Sequence, residues 1–164
     1  RTCSAPSWVA TPIPRLYWSE AVLPQVDAFH RLAAQFMSNK PQVLAWVTCD
    51  AVYVDPATGK HTLLGIFTNI RAKTFPVSHP RMVWFLSFSD LTSGSHQLKI
   101  SIGLPMEESR TIIEKEFKAE NPAQRINLIN DIQGLDFEEP GNYAIVIEID
   151  DQVVLASTFP VTRV

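Results

Sequence analysis

Hydrophobic and polar residues alternate along most of the chain after residue 41, which is the pattern of half-buried β-strands. Turn-forming Gly, Pro, Asn and Asp residues separate the apolar runs at short intervals. This spacing predicts a mainly β protein, an antiparallel immunoglobulin-like or C2-like β-sandwich of about seven to eight strands. The predicted strands cover about residues 43–54, 63–72, 82–88, 97–102, 110–117, 126–128, 143–149 and 153–164.

The first two predicted strands are joined by a tight turn, Asp55 to Lys60. Pro56 pre-sets φ at the second turn position, and Gly59 supplies the positive φ that closes the loop with a bulge. The segment superficially resembles a phosphate-binding loop, but Val54 stands where that loop needs glycine and His61 where it needs Ser or Thr. We therefore predict a structural hairpin.

A second structural signature precedes the penultimate strand. Residues 140–143, Pro-Gly-Asn-Tyr, lead into it, and Asp150-Asp151 then turn the chain into the last strand. In immunoglobulin-like domains a tyrosine at this place locks the strand corner through its hydroxyl. Tyr143 is therefore either a corner tyrosine or simply a partly buried one.

Residues 1–41 follow a different pattern, so we predict two regions, 1–41 and 42–164. Three prolines favour an extended arm over residues 1–17. Apolar residues at helical spacing then predict an amphipathic helix over about 23–37. Because aromatic residues are enriched at interface hot spots, the arm and helix are expected to bind a partner; equally, the arm could fold back over its own sheet. The candidate partner-binding residues are Trp8, Tyr17, Trp18 and Phe29.

Composition narrows the function classes. The 164 residues are 46% hydrophobic and 19% charged, as in an ordinary soluble globular protein. A net charge of −3 and scattered basic residues argue against a nucleic-acid binder. No apolar run approaches the roughly 20 residues that span a bilayer. No signal peptide is visible after Arg1, which favours the cytoplasm, although a signal sequence could lie upstream.

The residues that could carry chemistry are dispersed. His30, His61, His79 and His96 have no metal-ligand spacing, so no zinc site is expected. We prefer two reduced thiols to a single Cys3–Cys49 bridge, with Cys49 packed as a small apolar residue. No nucleophile signature surrounds Cys49, and Gly94-Ser95 forms no nucleophile elbow. We therefore expect neither an enzyme nor a cofactor.

Several motifs together resemble those of an uncharacterised bacterial family of short β-sandwich domains. They are Cys49-Asp50, the turn at residues 55–60, Leu63-Leu64-Gly65-Ile66-Phe67, Phe75-Pro76, His79-Pro80, Phe88-Ser89-Asp90 and the Pro-Gly-Asn-Tyr segment at residues 140–143. The resemblance covers about residues 47–164 and implies an immunoglobulin-like or C2-like sandwich. It implies no activity.

These observations predict a non-catalytic binding or accessory subunit of a larger protein assembly, attached through the N-terminal arm and helix. The first alternative is a small-ligand or carbohydrate-binding sandwich that uses Trp46, Trp84 or loop aromatics, provided that these line an open concave face. The second is a calcium-dependent C2-like module. Its candidate ligands are Asp50, Asp55, Asp90, Asp150 and Asp151, which sit near strand ends.

Overall fold

The computed structural model describes residues 40–164, in which nine strands form two sheets. The fold is mainly β, and the strand pairs are antiparallel except for β3 with β9. The strands are β1 Gln42–Val54, β2 His61–Ile66, β3 Ile70–Ala72, β4 Val77–Ser89, β5 Gly94–Gly103, β6 Arg110–Ala119, β7 Ile126–Phe137, β8 Gly141–Ile149 and β9 Gln152–Arg163.

The two sheets have simple strand orders. The first sheet is β2-β1-β4-β7, and the second is β3-β9-β8-β5-β6. The predicted opening hairpin is β1–β2, with Tyr53 opposite Thr62. The other hairpin pairs are β5–β6 and β8–β9. Strand β3 is the exception, because it runs parallel to β9.

Within residues 40–164, one hydrophobic core holds the two sheets together. In β4, alternate residues from Met82 to Phe88 face this core, and Trp84 has no exposed surface. In β8, Ile145 and Ile147 are equally buried. Aromatic rings link the sheets, since the Phe137 and Phe159 centroids lie 6.4 Å apart. The alternation in the sequence therefore identifies the buried face of β8, whereas residues 82–86 of β4 are buried on both faces.

The structure corrects the prediction for residues 63–72, which form two strands instead of one, and the strand count is nine instead of seven or eight. Phe67 ends the pairing with β1, where its N–H donates to the Thr48 carbonyl (3.1 Å) and its own carbonyl accepts from the Thr48 hydroxyl. The chain then joins the other sheet as β3, where Ile70 is buried opposite Val161. The apolar residues in the segment 63–72 do not reveal this change of sheet, because β2 and β3 both contain apolar residues.

The corner before β8 is held by Tyr143. Its hydroxyl donates a hydrogen bond to the Glu139 carbonyl, four residues upstream, at 2.9 Å. The ring packs edge-on against Phe137 with centroids 5.0 Å apart, and the residue is only 7% exposed. Tyr143 thus connects the end of β7 to the start of β8.

The predicted arm and helix lie outside the described residues. Within the range 40–164, no helix has the length and apolar character needed to cross a membrane.

Candidate functional site

The turn of the β1–β2 hairpin is built by Asp55. Its carboxylate accepts hydrogen bonds from the Thr58 hydroxyl (2.6 Å) and the Ala57 N–H (2.9 Å), and these hold the pKa of Asp55 below its ordinary value. Gly59, at φ 66°, donates its N–H to the Asp55 carbonyl, while the Asp55 N–H donates to the Lys60 carbonyl. Pro56 lies inside the turn. The polar groups of this segment therefore stabilise the turn itself.

The strands behind this turn carry an exposed apolar surface. Tyr53 is 55% exposed, Leu64 50% and Ile66 62%. Tyr53 pairs with Thr62 and Ala51 pairs with Leu64, so Tyr53 and Leu64 lie on the same face as diagonal neighbours. We call Tyr53, Leu64 and Ile66 the hairpin surface. Exposed apolar residues that are grouped in this way are typical of interaction sites.

Two of the sequence motifs meet in this hairpin. Gly65, at φ 65°, lies beside the Asp50 side chain, and a Cβ added to Gly65 would stand 2.0 Å from Asp50 Oδ2. Any other residue at position 65 would carry the cost of the left-handed backbone conformation and would displace the exposed Asp50 carboxylate. The Cys-Asp and Leu-Leu-Gly motifs are therefore two halves of one packing arrangement.

The outward face of β4 is buried beside the hairpin. Val83 and Phe85 are only 2% and 8% exposed although they point away from the core. The His61 ring lies 5.5 Å from the Phe85 ring, so the hairpin covers part of this face. Cys49 lies opposite Val83 as a fully buried free thiol, as expected, and burial raises its pKa. A buried neutral thiol is a poor nucleophile.

The buried His96 and the exposed Asp150 form a pair that connects three segments at one end of the second sheet. Nδ1 of His96 lies 2.6 Å from Oδ2 of Asp150, and Nε2 lies 2.8 Å from the Thr92 carbonyl oxygen. The Asp150 carboxylate and the Thr92 carbonyl are both acceptors, so the protonated ring, which can donate from both nitrogens, satisfies both contacts. Oδ1 of Asp150 accepts from the Gln97 N–H at 2.8 Å. His96 therefore fixes the β8–β9 turn to β5 and to the loop before β5.

The pKa directions agree with this geometry. Burial by itself lowers the pKa of His96, but its hydrogen bond to Asp150, its hydrogen bond to Thr92 and the charge of Asp150 together raise the pKa above its ordinary value. Burial by itself raises the pKa of Asp150, but the bonds from Gln97 and His96 lower it overall. Each group thus favours the charged form of the other.

The other two described histidines and the aspartates of residues 40–164 do not gather into a site, and His30 lies outside the described residues. His61 packs near Phe85, and His79 packs near Phe67. Among residues 40–164, no group of three or more His, Cys, Asp or Glu side chains is placed to hold a metal ion. The carboxylates of Asp55 and Asp150 make hydrogen bonds within or beside their own turns.

The tryptophans named for ligand binding face the core. Trp84 is fully buried, and Trp46 packs edge-on against it with ring centroids 5.9 Å apart. Both rings therefore pack on the core, and the loop aromatics of the small-ligand or carbohydrate-binding alternative stay a prediction.

One feature that the sequence analysis missed is a cavity of about 440 Å³ beside Tyr143. Its lining is acidic, and Arg110 is its single basic residue. The Arg110 guanidinium donates to the Asp136 carbonyl. The acidic residues come from the β5–β6 loop, from the end of β7 and from the loop after it, which are distant in sequence, so no local motif could indicate them; they are Glu107, Glu108, Asp136, Glu138 and Glu139.

The predicted partner-binding residues Trp8, Tyr17, Trp18 and Phe29 lie outside the described residues.

Comparison with known proteins gives a family but no activity. No curated protein matches the chain. Among solved structures, it is similar to β-glucosidase 3B from Thermotoga neapolitana in complex with glycerol, with 11% identity and a TM-score of 0.40. The similarity covers 58% of this chain and 16% of that chain. The sequence model of a family of unknown function, DUF6941, matches residues 44–162. Because this match spans more than half of the sequence, the chain belongs to that family.

Proposed function

We propose that the protein is a non-catalytic binding module that serves as an accessory subunit of a larger protein assembly. The observation that carries this proposal is the hairpin surface, where Tyr53, Leu64 and Ile66 are each at least half exposed. Large apolar side chains grouped on one hairpin lower solubility unless another molecule covers them. Covering them with a partner removes apolar area from water, which is the main favourable contribution to association.

The polar groups of the described region support a structural rather than a catalytic use. The carboxylate of Asp55 holds its own turn, and the Tyr143 hydroxyl holds a strand corner. His96 and Asp150 fasten a hairpin to the adjacent strand. A general base or nucleophile must instead be able to reach a substrate.

We further propose that the domain is immunoglobulin-like. In that fold the second and fifth strands pair in one sheet, and the third, sixth and seventh form the other. Strand β4 pairs with β7, while β5, β8 and β9 are adjacent in the second sheet, which fits this topology. The Tyr143 bond to Glu139 has the place and direction of a tyrosine corner.

The N-terminal arm and helix provide the second attachment in this proposal. The support is the sequence itself, which places Trp8, Tyr17 and Trp18 among prolines and Phe29 on an apolar helical stripe. Prolines keep an unbound arm extended, so less conformational entropy is lost when the arm binds in a groove.

The test is co-purification of the tagged full chain from its native source, with quantitative mass spectrometry. We expect a protein partner with the wild type. The partner is expected to be lost from Trp8→Ala/Trp18→Ala and reduced for Leu64→Lys/Ile66→Lys. Val153→Lys is the matched control, because Val153 is 60% exposed but lies on β9, away from the hairpin. The proposal would be contradicted if every co-purifying protein were recovered equally with the wild type and with all three variants.

A further inference from the structure

The β1–β2 hairpin leaves the first sheet partway along β1. Strand β1 pairs with β4 only as far as Cys49, which lies opposite Val83. Its pairing with β2 continues to Val54, opposite His61. Among the described strands, residues 50–66 therefore form a two-stranded ribbon that extends beyond the β1–β4 pairing. We call this ribbon the flap.

One ring contact shows that the flap folds back over the outward face of the sheet. Phe85 lies opposite Val47 in the β1–β4 register. His61 lies opposite Val54, which is seven residues further along β1. A straight ribbon would separate these two levels by about 23 Å, at about 3.3 Å per residue. The rings of His61 and Phe85 are instead 5.5 Å apart, so the flap turns back onto β4.

A hinge for this turn lies where β1 leaves β4. Asp50 is the first residue after the last β1–β4 pair, and its side chain lies beside Gly65 of β2. Gly65 has φ 65°, which departs from the extended conformation of the rest of the strand. Glycine accepts large changes of φ and ψ at little steric cost, and hinges are a few residues that absorb such changes. Asp50 and Gly65 therefore form a position about which the flap can rotate.

The flap is weakly held against the body of the domain. None of residues 50–66 is buried, whereas Thr48 and Cys49, immediately before it, are 5% and 0% exposed. A two-stranded hairpin alone is only marginally stable in water. Segments with few buried contacts open locally at a lower free energy than the whole domain unfolds. The flap is therefore expected to open before the two sheets separate.

The surface beneath the flap is apolar. Cys49, Val83 and Phe85 share the outward face, since Cys49 pairs directly with Val83 and Phe85 follows two residues later on β4. All three are buried. We propose that the flap is a lid, which opens about Asp50 and Gly65 while the sandwich stays folded and uncovers this face with the Cys49 thiol. The inference goes beyond the proposed function, because opening requires no partner.

The experiment measures the labelling of Cys49 by N-ethylmaleimide in the full chain carrying Cys3→Ser, in which Cys49 is the one remaining thiol. Mass spectrometry follows the labelling rate from zero urea to the unfolding transition. We expect Cys49 to react in native buffer at a rate that rises little with urea, because local opening exposes little new surface. Labelling that required global unfolding would rise steeply with urea.

Two variants of the same hairpin test whether the flap controls this rate. His61→Ala removes the ring that lies on Phe85 and should speed labelling by about 2- to 10-fold, the range expected for the loss of one aromatic contact. Tyr53→Ala is the matched control, because it truncates a ring on the exposed side of the hairpin and should leave the rate unchanged. Urea midpoints of both variants show whether the sandwich keeps its stability.

Two results would overturn the inference. In the first, Cys49 stays unlabelled until the chain unfolds, or reacts with the full urea dependence of global unfolding. In the second, His61→Ala and Tyr53→Ala change the labelling rate equally.

Discussion

The contact between Asp50 and Gly65 gives a prediction with an internal control. Gly65 and Gly59 have nearly the same positive φ, 65° and 66°. A Cβ at Gly59 would meet nothing within 4 Å, whereas a Cβ at Gly65 would lie 2.0 Å from Oδ2 and 2.7 Å from Cγ of Asp50. Substitution by alanine therefore costs the same backbone strain at both positions, but only at Gly65 does it also produce a steric clash.

The magnitudes follow from these distances. The left-handed conformation costs an L-residue about 1–2 kcal/mol, so Gly59→Ala should lower the free energy of unfolding by about that amount. At Gly65 the Asp50 side chain must also leave its rotamer, which adds about 0.5–1.5 kcal/mol. Asp50→Ala removes Oδ2 and Cγ, leaving only its Cβ at 3.1 Å. The Gly65→Ala loss should therefore shrink in the Asp50→Ala background.

The assay is urea unfolding of the wild type, the single variants and the Asp50→Ala/Gly65→Ala double variant, analysed as a double-mutant cycle. We expect Gly65→Ala to be more damaging than Gly59→Ala, with most of the difference recovered in the double variant. Equal losses at the two glycines, or no recovery on removing the carboxylate, would refute the packing argument.

Three further predictions concern the rest of the fold. Tyr143→Phe should lower the free energy of unfolding by about 1 kcal/mol, because the hydroxyl bond to the Glu139 carbonyl is lost. The control Tyr53→Phe, on the exposed hairpin, should change it little. Equal losses in the two variants would contradict the role of Tyr143 in holding the corner before β8. Because the pKa of His96 is raised in the folded protein, its contribution to the free energy of unfolding should be complete below about pH 6.5 and should be lost as the pH rises through the pKa of the folded state. The urea midpoint of the wild type should therefore fall over this pH range, and the midpoint of His96→Gln should change less. The lowered pKa of Asp150 gives stabilisation that is present above about pH 3.9 and lost as the pH falls. EDTA should leave the melting temperature of the full chain unchanged, and a large drop would revive the calcium alternative.

Local patterns in the sequence were sufficient to predict the β-class and most strands. Alternation locates the buried faces of β5 and β8, because a strand that is buried on one side must repeat every two residues. The Asp55–Gly59 turn is also encoded locally, since both its hydrogen bonds and its positive φ lie within six residues.

Features formed by distant residues could not be predicted in this way. His96 and Asp150 are 54 positions apart, and Asp50 meets Gly65 only because β1 and β2 pair in one particular register. The change of sheet between β2 and β3 depends on a pairing with β9, at the other end of the chain. The hairpin surface was missed because apolar strand residues are expected to be buried, and only the strand order shows that β2 is an edge.

The most direct test of the central claim is site-specific photo-crosslinking in native cells, with the photoreactive residue at Leu64 of the full chain. The same residue at Val153, which is similarly exposed but on β9, is the control. If the hairpin surface is a binding surface, Leu64 gives discrete adducts of defined mass, to a second copy of the chain or to another protein, and Val153 does not. The absence of adducts from Leu64, or the same adducts from both positions, would contradict the claim.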